Sequence, residues 1–339
     1  MIEKIPFIIA EMSGNHNQSL ERALAIVDAA ADAGVDAVKI QTYTADTMTI
    51  DIDTGEFFIS DKDSLWKGET LYHLYEKAHT PWEWHKAIFE RCKERGIMGF
   101  STPFDDTSVE FLEDLGVLCY KIASFENVDL PLIRKVARTG KPIIASTGMT
   151  SVAELSDLVQ TARENGCTDL TLLKCTSSYP ASPEGTNLRT IPHMRELFGC
   201  AVGLSDHTLG IGASVASVAL GAAVIEKHFT LSRAEGGVDA AFSLEPAEMA
   251  QLVRECRTAA LALGAVSYER AEQEQKSLQF RRSLYVVEDM KAGDVFTEKN
   301  LRRIRPGMGL SPKYYDIILG KKANCNITRG TAVQWDLIE

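Results

Sequence analysis

Short apolar runs alternate along the chain with longer stretches whose apolar positions recur every three or four residues. The first kind reads as strand and the second as amphipathic helix. FIIAEM, beginning at Phe7, precedes a periodic stretch from about Leu20 to Ala33. DAVKIQTY leads into an irregular stretch, and a helix begins near Pro81. IMGFSTP precedes DTSVEFLEDLG, LCYKIAS precedes DLPLIRKVARTG, and PIIASTG precedes SVAELSDLVQTARENG. LTLLKCT precedes a helix around Ile191 to Phe198, CAVGLSD precedes IGASVASVALG, and AAVIEKH precedes a helix from about Pro246 to Leu263. These are eight strand–helix units in roughly 260 residues. The helices open after Asp, Ser or Pro and close at Gly, as capping chemistry dictates. The strands are continuously apolar, as in a parallel sheet buried on both faces. The expected fold class is α/β, a (β/α)8 TIM barrel. A doubly wound open sheet is the fallback, but it would not need eight units.

Two segments break the alternation. Thr44 to Thr80 is a long acidic and aromatic insertion, and connections of this length are more often functional than idle. From about Tyr268 the chain turns polar (YERAEQEQKSLQ). Beyond it come short strands, turns at Gly and no long helix. The expected division is a barrel over 1–267, a linker over 268–282 and a small β-rich domain over 283–339.

Composition narrows the class. With 45% hydrophobic and 24% charged residues, the 339-residue chain can bury a full core. A net charge of −11 argues against a nucleic-acid partner. No run is long and apolar enough for a membrane span, and the N-terminus runs straight into a strand rather than a secretion signal. Seven cysteines without paired or metal-like spacing point to reduced thiols and a cytoplasmic protein. From Ser283 on, 9 Lys and Arg face 7 Asp and Glu, so the acidity belongs to the barrel.

In such a barrel the C-terminal ends of the strands form the active site. Here they carry Glu11, Lys39 with Gln41, Ser101 with Thr102, Lys121 with Ser124, Ser146 with Thr147, Cys175 with Thr176, Ser205 with His207, and Glu226 with His228. A single buried His is more often a satisfied core residue than a ligand. A polar or ionisable group at all eight strand ends is harder to explain that way, because a buried Lys or Glu is costly unless paired or used. His207 and His228 end strands seven and eight, about 5 Å apart in a barrel. Two imidazoles at that spacing can share a cation and leave positions open for water or substrate oxygen. That favours Mn2+, Mg2+ or Co2+ over structural zinc. A metal-free acid–base pair is the rival reading. Lys39 and Lys121, with the hydroxyls of Ser124, Ser146 and Ser205, could cradle a phosphate or carboxylate. A Schiff-base lysine is the competing role.

The ordered series IAEMSGNHNQSLERALAIVDAAADAGVDAVKIQTY, FSTPFD, YKIASFENVDLPLI, ASTGM, CTSSYP, GLSDHTLG, EKHFT and RPGMG resembles the sialic acid synthase family from about Ile9 to the C-terminus. The resemblance implies condensation of phosphoenolpyruvate with an open-chain 2-acetamido sugar, assisted by a divalent metal, most often Mn2+, on His207 and His228. It places Lys39, Lys121, Ser124, Ser146 and Ser205 on phosphoenolpyruvate, with Thr102 beside them. It puts Glu11 near the reacting enolpyruvate, Gln41, Glu226 and Asp239 on the sugar side or in proton handling, and Tyr179 against the acceptor. It makes the last segment an antifreeze-like (SAF) domain that swaps onto a partner subunit of a homodimer and delivers Arg305. For Arg305 the alternative is an exposed turn residue.

One position departs from the common family pattern. Ser177 stands where members using N-acetylmannosamine often carry Asn, which suggests a differently shaped or deoxy acceptor. The start of the chain and the insertion resemble the branch that takes 2,4-diacetamido-2,4,6-trideoxy-altrose, a diacetamido-trideoxy hexose, toward flagellin or surface glycans. Trp66, Tyr72 and Tyr75 would then be apolar walls for that sugar, with plain packing of the insertion as the alternative. The competing functions are a sialic or legionaminic acid synthase, a lysine-dependent aldolase, and a non-enzymatic sugar- or ice-binding protein.

Overall fold

The computed structural model describes residues 5–61 and 65–339. Residues 1–4, on which part of the N-terminal leader reading rests, and 62–64 of the insertion lie outside the described residues. The chain forms two compact units, 1–264 and 265–339.

The first unit is a closed barrel of eight parallel strands in sequence order. They are β1 (Phe7–Glu11), β2 (Ala37–Thr42), β3 (Met98–Pro103), β4 (Tyr120–Ile122), β5 (Ile143–Ser146), β6 (Leu170–Cys175), β7 (Ala201–Asp206) and β8 (Val224–His228). An inner layer fills the barrel with Ile9, Ala37, Phe100, Ile144, Leu173 and Val224. A larger core packs the outer faces of the strands against the helices. Gly203 is required by this closure: a Cβ there would sit 2.2 Å from the carbonyl oxygen of Val224 on the neighbouring strand. Helix starts follow the capping expected from the sequence. Asp105, Ser151 and Ser19 accept from the first-turn amides of their helices, each capping interaction worth about 1 kcal/mol.

The outer face of β7 and β8 also carries a buried ion pair. Lys227 Nζ lies 3.0 Å from Asp206 Oδ2, and both side chains are fully enclosed. Asp206 additionally accepts from Thr208 N at 2.9 Å and from Ser214 Oγ at 2.6 Å. Each partner immediately precedes one of the two strand-end histidines in sequence.

The insertion is more ordered than its sequence suggests. It holds a helix at Leu71–Ala78, capped by Thr70, whose Oγ1 accepts from His73 N at 3.2 Å. Its apolar residues 71, 74, 75 and 78 follow helical spacing, but over two turns only, too short to stand out beside the barrel helices.

The second unit pairs β9 (Ser283–Val286) antiparallel with β10 (Leu301–Ile304). Single bridges such as Met290 with Ile327 extend the sheet around a core that includes Leu284, Phe296, Ile318 and Val333. Residues 265–282 belong to this unit and include two short helical turns, Glu272–Gln275 and Lys276–Phe280.

Candidate active site

Strand register brings the expected residues to one level. Glu11 stands opposite Lys39 on one side and His228 on the other, and Ser205 stands opposite Glu226. They floor a cavity of about 540 Å3 at the C-terminal end of the barrel. Of the residues expected from the barrel, Glu11, Lys39, Gln41, Lys121, Ser124, Ser146, Tyr179, Ser205, His207, Glu226, His228 and Asp239 line it, whereas Ser101, Thr102, Thr147, Cys175, Thr176 and Ser177 do not. Arg305 lies in the second unit, exposed, just after β10. Of the three proposed aromatic walls, Trp66 and Tyr75 face the cavity. Tyr72 does not: it sits on another face of its helix, with its hydroxyl 3.1 Å from Asp46 Oδ1.

The floor is a chain of buried opposite charges. Lys39 Nζ lies 2.6 Å from Glu11 Oε2 and 3.8 Å from Glu226 Oε2, and donates to Thr102 Oγ1 at 3.2 Å. Lys121 Nζ donates to Ser146 Oγ at 2.7 Å and lies 3.8 Å from Glu226 Oε1. Ser205 Oγ donates to Glu226 at 3.1 Å. Desolvation at this depth would neutralise isolated charges, and here each is held by a partner. The two carboxyls are driven apart. Burial alone would raise Glu226, but Lys121 and Lys39 outweigh it and hold it ionised. Burial raises Glu11 despite Lys39, with the neighbouring Glu226 adding to the shift, so Glu11 is the readier to take a proton. Such a split assigns distinct acid–base roles to two carboxyls in one site. Burial also lowers the Lys121 amine.

The histidines stand at the other side of the floor. Their ring centroids are 5.3 Å apart, and Phe242 lies edge-on to His228 at 4.9 Å. His207 Nδ1 is 3.1 Å from the carbonyl of Thr176, which places a proton on that nitrogen, and against the opposing effect of burial Cys175 and the Thr176 carbonyl raise the imidazole. Burial, reinforced by His207 and Lys39, holds His228 well below its ordinary value, so it is neutral at pH 7. Its Nδ1 is buried without a hydrogen-bond partner, and Asp239 Oδ2 is 3.8 Å away. Two close imidazoles, His228 neutral and with an orphaned buried nitrogen, fit a divalent cation whose other positions are filled by oxygens from water or substrate. No group of three or more His, Cys, Asp or Glu poised to hold a metal occurs among the described residues.

Tyr179 packs on His207 at 4.5 Å between centroids, and Trp66 packs on Tyr179 at 6.1 Å. The Trp66 indole N–H donates to the Val238 carbonyl at 3.1 Å, tying the insertion to the loop after β8. Ser177 Oγ is 3.9 Å from Cys175 Sγ. Behind it, Gly148 admits no side chain, since a Cβ would lie 2.1 Å from Ser177 Oγ and 2.7 Å from Ser124 Oγ.

Ser13 and Glu126 are among the cavity residues that went unread in the sequence. Ser13 accepts from Gln41 Nε2 at 3.1 Å and donates to Asp239, joining strands one and two to the loop after strand eight. It lies two residues past Glu11, just beyond the strand, where the backbone turns to φ +48° and the alternation no longer applies. Glu126, two residues past Ser124 in SFENVD, faces the cavity with a buried Oε2 that has no partner, and burial raises its carboxyl to about 7.

Residues 26–268 match the NeuB family and residues 281–339 match the SAF domain. The chain belongs to the NeuB family. A pseudaminic acid synthase from Campylobacter jejuni is 46% identical over 98% of this chain and 96% of its own length. An N,N'-diacetyllegionaminic acid synthase from the same strain is 37% identical over 95% of this chain and 97% of its own. The crystal structure of an N-acetylneuraminic acid synthetase from Leptospira borgpetersenii in complex with citrate superposes with a TM-score of 0.72. It is 32% identical and covers 82% of this chain and 92% of its own. The barrel, the C-terminal domain and the family read from the sequence are therefore those of the protein.

Proposed function

We propose that this protein is a pseudaminic acid synthase. It condenses phosphoenolpyruvate with open-chain 2,4-diacetamido-2,4,6-trideoxy-L-altrose and releases phosphate. The observation that carries the reading is the juxtaposition, on one cavity floor, of two close histidines and two buried lysines with hydroxyl neighbours. The branch rests on sequence: within one Campylobacter strain, the pseudaminic enzyme is nearer than the legionaminic one by 46% to 37%.

His207 and His228 would hold the divalent cation, Mn2+ being the first choice, which supplies Lewis-acid polarisation of the acceptor aldehyde. Lys121, Lys39, Ser146 and Ser124 bind the phosphate and carboxylate of phosphoenolpyruvate, and an anion there opposes the burial that lowers the Lys121 amine. The reaction joins C3 of the enolpyruvate to the aldehyde carbon, adds water at C2 and breaks the C–O bond to phosphate. Glu11 is the group able to take the proton of the water that adds at C2 and pass it on to the new hydroxyl formed from the aldehyde oxygen, while Glu226 stays ionised and keeps both lysines placed. Gln41, hydrogen-bonded to Glu11 at 2.9 Å, and Asp239 orient the sugar side.

Phosphate release with Mn2+ against a panel of acceptors tests the reading. The altro diacetamido sugar should be preferred to its manno-configured counterpart and to N-acetylmannosamine. Preference for another acceptor keeps the chemistry and overturns the branch. The lowered amine of Lys121 favours a second reading, a Schiff-base aldolase, which would give a borohydride-trapped adduct and ignore chelators. The family further supports a cytoplasmic, domain-swapped homodimer in which Arg305 serves the partner's site, supplying sugar for flagellin or other surface glycans. Mixing inactive Arg305→Ala and His207→Ala proteins should then restore part of the activity.

A further inference from the structure

Most amphipathic helices bury their apolar stripe in a core. The helix at Leu71–Ala78 does not. Its stripe at positions 71, 74, 75 and 78 lines the cavity, while His73, Glu76 and Lys77 point to water. Only Ala78 is buried; Leu71, Leu74 and Tyr75 remain partly exposed. The helix is nevertheless held at both ends. Thr70 caps its start, and at its C-terminal end the Gln18 amide donates to the carbonyls of Lys77 at 3.0 Å and His79 at 2.8 Å. Tyr75 packs edge-on to Tyr43 at 5.8 Å, and Tyr43 packs on Phe104 at 5.1 Å, which continues the apolar surface onto the end of β3. A fixed helix with an uncovered stripe over a charged floor makes the cavity two-faced, and the stripe gains burial only when something apolar enters.

We infer that this helix determines acceptor specificity: Leu71, Leu74 and Tyr75 form a subsite for the methyl-bearing distal half of the sugar. The inference rests on the acceptor reading above. The aldehyde end must lie at the histidines, so the far carbons of the open chain extend away from the floor along the insertion. A C6 methyl and the methyl of a C4 acetamido group would cover the stripe carbon against carbon. A sugar with hydroxyls at those carbons would strip them of water against leucine and tyrosine, without partners there. Discrimination by one methyl group or its absence in an apolar pocket spans about 10- to 200-fold.

The test uses full-length protein and two substitutions, Leu71→Ser and Leu74→Ser. Steady-state kinetics would compare the 6-deoxy diacetamido sugar with the same sugar bearing a 6-hydroxyl. KM for the deoxy sugar should rise about 10- to 100-fold, and the wild-type preference for it should collapse toward one. KM for phosphoenolpyruvate and the melting temperature should hold, and Leu74→Met should keep the wild-type preference. An unchanged preference, or an equal loss on both sugars, overturns the role of the helix. Wild-type protein that ignores the deoxy sugar overturns the acceptor reading instead, so the two failures are told apart.

Discussion

The floor and the wall of the cavity are built in opposite ways. On the floor, Glu11, Lys39, Lys121 and Glu226 come from strand ends, are at most 5% exposed, and are fixed by each other's charge. On the wall, Leu71, Leu74 and Tyr75 come from a connection between strands, are partly exposed, and touch the cavity through carbon. A change on the floor strands a buried charge and disturbs its neighbours. A change on the wall alters only what fits. The difference teaches where each property can vary: the charged groups are locked into the barrel, and the apolar wall, to which the choice of acceptor is here assigned by proposal, sits on a segment that can change without them.

The largest break in that comparison should come at the histidines. His207→Ala or His228→Ala should lower turnover by about a thousandfold or more if, as proposed, the two histidines hold the cation. The proteins should remain folded by circular dichroism, and electron paramagnetic resonance should show weakened Mn2+ binding. Retained activity in a metal-free double variant would return the site to acid–base chemistry.

The next effect lies behind the floor. Lys227→Met leaves Asp206 charged and enclosed, and removing one partner of a buried pair costs about 3–5 kcal/mol. Urea denaturation would measure it. A loss near zero would mean that water reaches the pair and that the strands carrying the histidines are not fixed from outside.

Glu126 sharpens the comparison, since it is a floor-type group placed without a floor-type partner. Its carboxyl rises from an ordinary 4.5 to about 7 on folding, chiefly through burial. Below about pH 4.5 both folded and unfolded chains carry the proton and nothing is lost. Between there and about pH 7 the unfolded chain ionises first, so stability falls by about 3 kcal/mol and stays lowered above. Glu126→Gln should therefore raise the melting temperature at pH 8 and leave it unchanged at pH 4. An equal gain at both values would mean that the carboxyl is not strained by burial.

The legible half of the site was the half governed by period. Strand runs of three to six residues with polar groups at or near their ends located Lys39, Gln41, Lys121, Ser205 and Glu226 in the sequence. The family motifs added Asp239 and Tyr179, which lie on loops where no period applies. Ser13 and Glu126 were not read because each lies just past a strand, where the backbone leaves the alternation. The wall was half legible. Aromatic content marked the insertion, but which aromatics face inward depends on a two-turn helix whose phase was not assigned. Trp66 and Tyr75 face the cavity, and Tyr72 does not.

That phase gives the smallest expected effect and the cleanest contrast. Tyr72 and Tyr75 are three residues apart, yet one bonds Asp46 at the surface and the other packs on Tyr43 beside the cavity. Tyr72→Phe removes a hydrogen bond in water, where it is replaced by solvent, so neither substrate's KM should change measurably. Tyr75→Ala removes a ring from the wall and should raise the acceptor's KM several-fold, with phosphoenolpyruvate unaffected. Steady-state kinetics on the two proteins side by side separates aromatic content from aromatic placement. If Tyr72→Phe also raised the acceptor's KM, the whole helix rather than its inner face would be reading the sugar, and the wall would be as tightly coupled as the floor.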